Sequence, residues 1–419
     1  MIKLKSPSIE TSAISEPPAP FSLMGSPQSA YVHIPFCRRR CYYCDFPISV
    51  LGDRRQGDAS DTVNQYIEQI LREIRATHGG SQPALKTVFF GGGTPSLLSV
   101  GQLERILSAL YQQFGLIENA EISMEMDPGT FDLAQAQGYR RAGVNRVSLG
   151  AQAFQAELLV ACGRTHGVDE IQAAFEILDQ VGMPSVSLDL ISGLPHQTLN
   201  IWRESLSAAI ALQPQHISVY DLTVEPQTAF GKWYQAGQRP LPTDDLTVAM
   251  YRIAGQTLTQ EGYEHYEVSN YAQPGHRCRH NLTYWRNRPY YAFGMGATSY
   301  VNNQRFGRPR TLRDYSAWVD TYEAAQGAIA CEPTPWVETL LDRVMVGLRL
   351  SEGILLSELT ADYGEQWCDR LLACLNRYKA PGWIVIDDKR VRLSDPEGFL
   401  FSNVVLSTVF EQLADDCSA

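Results

Sequence analysis

The sequence predicts an α/β fold, a partial (β/α)6 barrel followed by a small C-terminal helical, winged-helix-like domain. Three observations carry this. Six short runs rich in β-branched, apolar and aromatic residues lie between Ala30 and Pro226, and each ends in Gly, Pro or polar residues. Amphipathic helical patterns lie between them. After about Pro335 the character changes to amphipathic helices and one hairpin.

The strand runs are AYVHIPF (30–36), TVFFGGGT (87–94), EISMEMDP (121–128), NRVSLGAQ (145–152), SVSLDLISGLP (185–195) and HISVYDLTVEP (216–226). Helical patterns cover Asp61 to Thr77, 99–114, 168–182 and 198–212. Such alternation implies a parallel sheet with crossover helices, and six units suit an open barrel. Ligands of such sheets gather at the C-terminal strand ends, where this chain places its unusual residues. Residues 243–262 read as a further helix, YEHYEVSNYA as strand-like, and 276–300 as a segment dense in aromatics and Gly. In the C-terminal part LLDRVMVGLRL and WCDRLLACLNRY read as helices, and GWIVIDDKRVRLS as a hairpin turning near Asp387 and Asp388. The organisation expected is a disordered leader over 1–28, rich in Pro and Ser and with Met24 as an alternative start, then a barrel over 29–240. A barrel extension over 241–334 and a C-terminal domain over 335–419 complete it.

The chain has 419 residues, 46 acidic against 35 basic, a formal net charge of -11 and 44% hydrophobic residues. That is a globular composition without an electrostatic footprint for nucleic acid, so the C-terminal domain reads as a packing or lid module in preference to a DNA reader. No stretch approaches the roughly 18–20 apolar residues of a membrane span, and no signal peptide is evident at the N-terminus. The expected location is the cytoplasm.

Three of the nine cysteines, Cys37, Cys41 and Cys44, crowd into CRRRCYYC, while the others are scattered. This points to metal binding in a reducing compartment. Three thiolates on the loop after the first strand can hold three corners of a [4Fe-4S] cubane. The competing reading is zinc completed by His33. GGGTP at the end of the second run lets backbone approach a ligand, and lacks the Gly-Lys-Ser/Thr of a P-loop. Glu125, Gln152 and Asp189 end successive strands, with Arg164 in the loop after Gln152.

YVHIPFCRRRCYYCDF, FFGGGTPS, EMDPGT, SLGAQAF, GRTH and LDLISGLP together resemble the radical S-adenosylmethionine (SAM) superfamily, in the family of oxygen-independent coproporphyrinogen III oxidase and its relatives. The resemblance runs from Tyr31 into the C-terminal domain and implies a radical SAM barrel. It implies that SAM supplies the fourth iron's ligands. Gly92, Gly93, Thr94, Glu125, Gln152, Arg164 and Asp189 match SAM-contact positions, as do Tyr31 and Tyr43, two tyrosines that packing alone would equally explain.

Oxidases of this family carry CxxxCxxCxC, and here the last position is Phe46. A phenyl ring neither ligates nor carries protons. The pattern CxxxCxxCxF with HNLTYW at 280–285 is similar to the heme chaperone branch, in which HNxxYW is associated with heme. From the residues alone, His280 can offer an imidazole to iron, Tyr284 and Trp285 flat faces, and Arg279, Arg286 and Arg288 partners for propionates. His276, Cys278 and His265 are rival ligands, and a buried core histidine with core aromatics is the structural alternative. FGMGATS (293–299) reads as a structural turn.

The expected function is therefore a heme chaperone holding a [4Fe-4S] cluster and SAM and passing heme to an acceptor protein, a membrane-associated acceptor included. The alternatives are a coproporphyrinogen III oxidase and a radical SAM methyltransferase.

Overall fold

The computed structural model describes residues 25–418 apart from 53–56, 79–82, 330 and 332–333. The predicted leader lies outside these residues except for 25–28. Six strands lie side by side in chain order, all parallel: β1 (Ser29–Ile34), β2 (Leu85–Gly92), β3 (Leu116–Met126), β4 (Arg146–Gln152), β5 (Val186–Ser192) and β6 (His216–Asp221). The helices α1 (Asp61–Ala76), α2 (Val100–Phe114), α3 (Leu133–Ala142), α4 (Ala156–Ala161), α5 (Val168–Gln180) and α6 (Leu199–Ala211) make the crossovers. This is the open parallel sheet that the resemblance implies.

Three further strands widen the sheet. The stretch expected as one strand-like run is a hairpin, β7 (Glu264–Glu267) and β8 (Asn270–Ala272), with β8 antiparallel to β6. β9 (Tyr291–Phe293) pairs in parallel with the outer edge of β1. The strand order is therefore β9-β1-β2-β3-β4-β5-β6-β8-β7.

Local sequence explains the elements. In α1, Val63, Tyr66, Ile67, Ile70, Leu71 and Ile74 recur at helical spacing and are buried. α2 opens on a capping box in which Ser99 and Gln102 each accept the other's backbone N–H. In β3 the period is two: Ile122, Met124 and Met126 enter the apolar core, while Glu121, Ser123 and Glu125 take the other face, the barrel lumen.

After α7 (Ala229–Trp233) and α8 (Asp244–Gln260), the HNLTYW segment folds as α9 (Arg279–Trp285). Glu121 in the lumen accepts the backbone N–H groups of Arg279 at 3.0 Å and His280 at 2.9 Å. The Ser29 and Thr283 hydroxyls meet at 2.9 Å. These bonds seat α9 across the N-terminal strand ends, so it closes the barrel at the end away from the cysteines.

The C-terminal helices and a three-stranded antiparallel sheet enclose a second core around Leu340, Val344, Trp367, Leu371, Phe399 and Val409. Ile384–Ile386 and Arg390–Leu393 form its hairpin, at the predicted turn. No helix of the described residues is long and apolar enough to cross a membrane.

Candidate functional site

The cysteine loop leaves β1 and is tied off at its base. Ser49 donates its backbone N–H to Pro35 O at 2.6 Å and Leu51 to Cys37 O at 2.8 Å. Arg40, between the first two cysteines, donates to the carbonyls of Cys44 (3.2 Å), Phe46 (3.0 Å) and Ile48 (3.3 Å). One guanidinium thus holds the far arm of the loop, which has no regular backbone ladder.

Cys37, Cys41 and Cys44 open on a cavity of about 420 Å³ at the C-terminal strand ends. The same cavity is lined by Tyr43, Gly92, Gly93, Thr94, Glu125, Gln152, Arg164 and Asp189, so the structure brings together the predicted residues from six separate segments. Tyr31 is not among the lining residues. It lies one layer deeper, its hydroxyl 3.0 Å from His33 Nδ1.

The glycines are required here by space. A Cβ on Gly92, at φ +112°, would sit 2.3 Å from the His33 ring, and one on Gly93 would sit 2.8 Å from the carbonyl oxygens of Ile34 and Phe36. Gly92 donates its N–H to Glu125 at 2.9 Å, yet burial still pushes the Glu125 carboxyl up to about 8. Burial likewise raises Asp189, against the bonds it accepts from Ser148 at 2.9 Å.

Asp127 was not singled out from the sequence and is central. Its Oδ1 pairs with Arg164 Nη2 at 2.5 Å and its Oδ2 lies 3.3 Å from Thr94 Oγ1. Arg164 Nη1 in turn lies 3.4 Å from Cys41 Sγ, and Thr94 Oγ1 lies 3.5 Å from Cys37 Sγ. One carboxylate therefore places a donor against two of the three sulfurs. The signal was present: Asp127 follows Glu125 at the strand period of two.

These residues fit a cluster and a nucleotide-like ligand. Burial holds the Cys37 thiol up at about 12, which Thr94 opposes by hydrogen bonding, so a thiolate there calls for a cationic partner. Buried Arg164 Nε has no partner among the described residues and remains a donor to be satisfied. Among the described residues no three His, Cys, Asp or Glu side chains converge on a single ion, and both ring nitrogens of His33 are engaged, with Tyr31 and with Pro47 O at 3.0 Å. His33 thus has neither ring nitrogen left over, in this arrangement, to serve as the fourth ligand of the zinc alternative.

The HNLTYW residues are elsewhere. His280 is fully buried at the closed end, with Nδ1 2.8 Å from Thr87 Oγ1 and Nε2 2.8 Å from the Tyr284 hydroxyl, and its ring stacks on Phe89 at 5.2 Å. Burial lowers it to about 3, so it is a neutral imidazole. Both nitrogens of the expected iron ligand are thus hydrogen bonded within the closed end. Tyr284 also packs edge-on to Tyr290 at 4.7 Å, and Trp285, the last residue of α9, is half-buried. Of the rivals, Cys278 and His265 are buried and His276 is half-buried.

Residues 31–209 match the radical SAM superfamily and residues 338–401 the HemN C-terminal domain. The heme chaperone HemW of Synechocystis is 46% identical over 406 residues, covering 93% of this chain and 98% of that protein. The heme chaperone HemW of Bacillus subtilis is 32% identical, covering 92% and 100%. The solved coproporphyrinogen III oxidase (HemN) from Escherichia coli, a radical SAM enzyme, superimposes with a TM-score of 0.77 at 24% identity over 93% of this chain and 91% of that one, which establishes likeness of fold.

Proposed function

Since the chain belongs to the heme chaperone HemW family of the radical SAM superfamily, we propose that it binds heme as cargo, carries a [4Fe-4S] cluster on Cys37, Cys41 and Cys44 with SAM beside it, and passes the heme to an acceptor protein. When bound, such a cluster with SAM supplies one-electron chemistry and an iron site that the protein leaves open. Gly92, Gly93, Thr94, Glu125, Gln152, Arg164 and Asp189 are the residues proposed to hold SAM. Tyr43 forms part of the wall, and Tyr31 supports His33 beneath it.

The observation that carries the reading is the charge of the cavity. Asp45, Asp127, Asp189, Asp221 and Glu225 line it, beside Glu125, which burial pushes toward its neutral form, against two cations, Arg39 and Arg164, and Arg164 is already paired with Asp127. A cationic sulfonium suits such a wall. A tetracarboxylate such as coproporphyrinogen III meets repulsion and few partners. Phe46, 57% exposed at the rim, adds an apolar surface where the oxidases have a cysteine.

The test is anaerobic purification and cluster reconstitution, followed by separate offers of heme and of coproporphyrinogen III with SAM and reductant. Stoichiometric heme uptake without decarboxylation is expected. Turnover of coproporphyrinogen III, or failure to take up heme, would overturn the reading.

A further inference from the structure

The cysteine loop has a second face, turned away from the cavity. Among the described residues the five most exposed large apolar side chains are Val160, Tyr111, Phe46, Trp233 and Val50, and all but Tyr111 surround this loop. Phe46 stands at the cavity rim, and Val50 is the strand partner of Cys37. Val160, 73% exposed, and Trp233, 55% exposed, lie instead beside Tyr42, the residue after Cys41. None of these three lines the cavity.

Tyr42 is fixed as a wall between that face and the cysteines. Its N–H donates to Cys162 O at 3.0 Å and its carbonyl accepts the Phe230 N–H at 2.9 Å, so the end of α4 holds it on one side and α7 on the other. Its ring closes on Gly163, where a Cβ would sit 3.0 Å away, and meets Trp233 edge-on at 4.9 Å. Gly163 donates its N–H to Val160 O at 3.0 Å, which brings Val160 to the same patch. Two rings, Trp233 and Tyr42, therefore lead from solvent to the backbone of Cys41. Cations flank them. Lys232 precedes Trp233 and is exposed, and Arg39 extends from the cavity mouth to the hollow beside Gly163, which Arg38 also lines. Asp127 in that hollow is paired with Arg164, and Glu157 lies one turn before Val160 in α4. Arg38, Arg39 and Lys232 against Glu157 reverses the balance of a chain with 46 acidic and 35 basic residues.

We propose that this face is the docking surface for a small acidic flavoprotein of the flavodoxin class, which passes one electron to the cluster by way of Trp233 and Tyr42. This rests on the cluster reading above and deepens it by placing the electron's point of entry. With SAM in the cavity, a protein donor has to approach Cys41 from the other side, and electron transfer falls steeply with distance, so the donor belongs where the wall is thin. The flavin hydroquinone gives up one electron and the cluster takes it up, and no proton or bond crosses the interface. An exposed indole offers a flat apolar surface to the edge of a flavin. Two apolar side chains flanked by cations suit the charge-steered contacts of redox partners, which bury less than about 1,200 Å², better than a lasting complex.

The experiment reconstitutes the cluster in the full-length protein and follows its bleaching by stopped-flow absorbance with SAM present. Photoreduced flavodoxin hydroquinone and dithionite are the two donors. Wild type is compared with Lys232→Glu/Trp233→Ser and with Lys379→Glu, a charge control at an exposed lysine of the C-terminal domain. The double variant should take electrons from flavodoxin about tenfold or more slowly. Its rate with dithionite, its iron content and its EPR-monitored midpoint potential should stay those of wild type. The flavodoxin rate of wild type should fall as salt is raised, and that of the double variant much less. Lys379→Glu should match wild type. An unchanged flavodoxin rate in the double variant, an equal slowing with dithionite, or a wild type reduced by dithionite and not by flavodoxin overturns the docking face and leaves the cluster reading intact. Failure of wild type to assemble an iron–sulfur cluster removes the cluster reading, and the inference with it.

Discussion

Replacing His280 by Ala separates a structural role from a ligand role at the HNLTYW segment. The imidazole is fully buried and bridges the Thr87 and Tyr284 hydroxyls at 2.8 Å each while stacking on Phe89. Its removal strands two polar groups at about 1–3 kcal/mol each and leaves a void among well-packed rings. A loss of about 3–5 kcal/mol is therefore expected, and His280→Gln, which can meet one hydroxyl or both, should recover part of it. Urea denaturation followed by circular dichroism measures the change. In the same preparations the folded fraction of His280→Ala should bind heme with the absorption spectrum of wild type. Stability unchanged within about 1 kcal/mol, together with a changed heme spectrum, would show that His280 reaches the iron and that the buried network is not its task.

Other expectations follow from the buried charges and the cysteine cavity. Glu267 is fully buried with Oε1 unpartnered, and burial raises its carboxyl to about 7, so the folded state binds its proton more tightly than the unfolded state. Its contribution is complete below the unfolded value and is lost, by about 3 kcal/mol, as pH rises through 7; Glu267→Gln should flatten that slope in pH-dependent melts, and an unaltered slope would assign the effect elsewhere. Glu73, fully buried, pairs with Arg308 at 2.8 Å and also accepts from Tyr315 and the Gly294 N–H, so Glu73→Ala should cost about 3–5 kcal/mol in urea unfolding by leaving the guanidinium unpaired. Asp127→Asn removes a negative charge beside Cys37 and Cys41 and should move the reconstituted cluster's midpoint potential upward in an EPR-monitored titration, whereas an unmoved potential would deny Asp127 its positioning role. Cys41→Ala should abolish the iron and sulfide content yet leave the circular dichroism of the apoprotein unchanged.

The barrel mouth was legible in the sequence because its chemistry is written in rare residues at fixed places. Glycines with no room for a Cβ, cysteines in one short loop and carboxylates closing apolar runs each mark a strand end. Asp127 shows that the period of two was worth pursuing one residue pair further. The closed end was not legible in the same way. RHNLTYWRNR carries the composition of a ligand site, but composition is silent on which atoms are already bonded, and His280 has both nitrogens committed by Thr87, 193 residues away in sequence, and by Tyr284. β9 was missed for a related reason: YAF is too short to show a period, and it becomes a strand by pairing with β1.

The two ends are joined by one continuous column of side chains. Tyr284 bonds His280, which stacks on Phe89; Phe89 stacks on Tyr31 at 6.2 Å; Tyr31 bonds His33, and His33 reaches Pro47 O in the cysteine loop at 3.0 Å. Contiguity alone does not couple two sites, since coupling requires an element with two arrangements that each ligand weighs differently. This column has the features of a fixed strut. His280 is held at both nitrogens, His33 likewise, and Gly91 leaves 3.0 Å between a would-be Cβ and the Tyr31 ring. A packed column of that kind keeps the cysteine loop and α9 at a constant separation, so the equilibrium affinity for heme should be the same in wild type and in Cys41→Ala. Any dependence of heme delivery on the cluster must then arise at the exposed loop around Phe46, where an acceptor could touch both the rim and the cluster, and not through the barrel's interior.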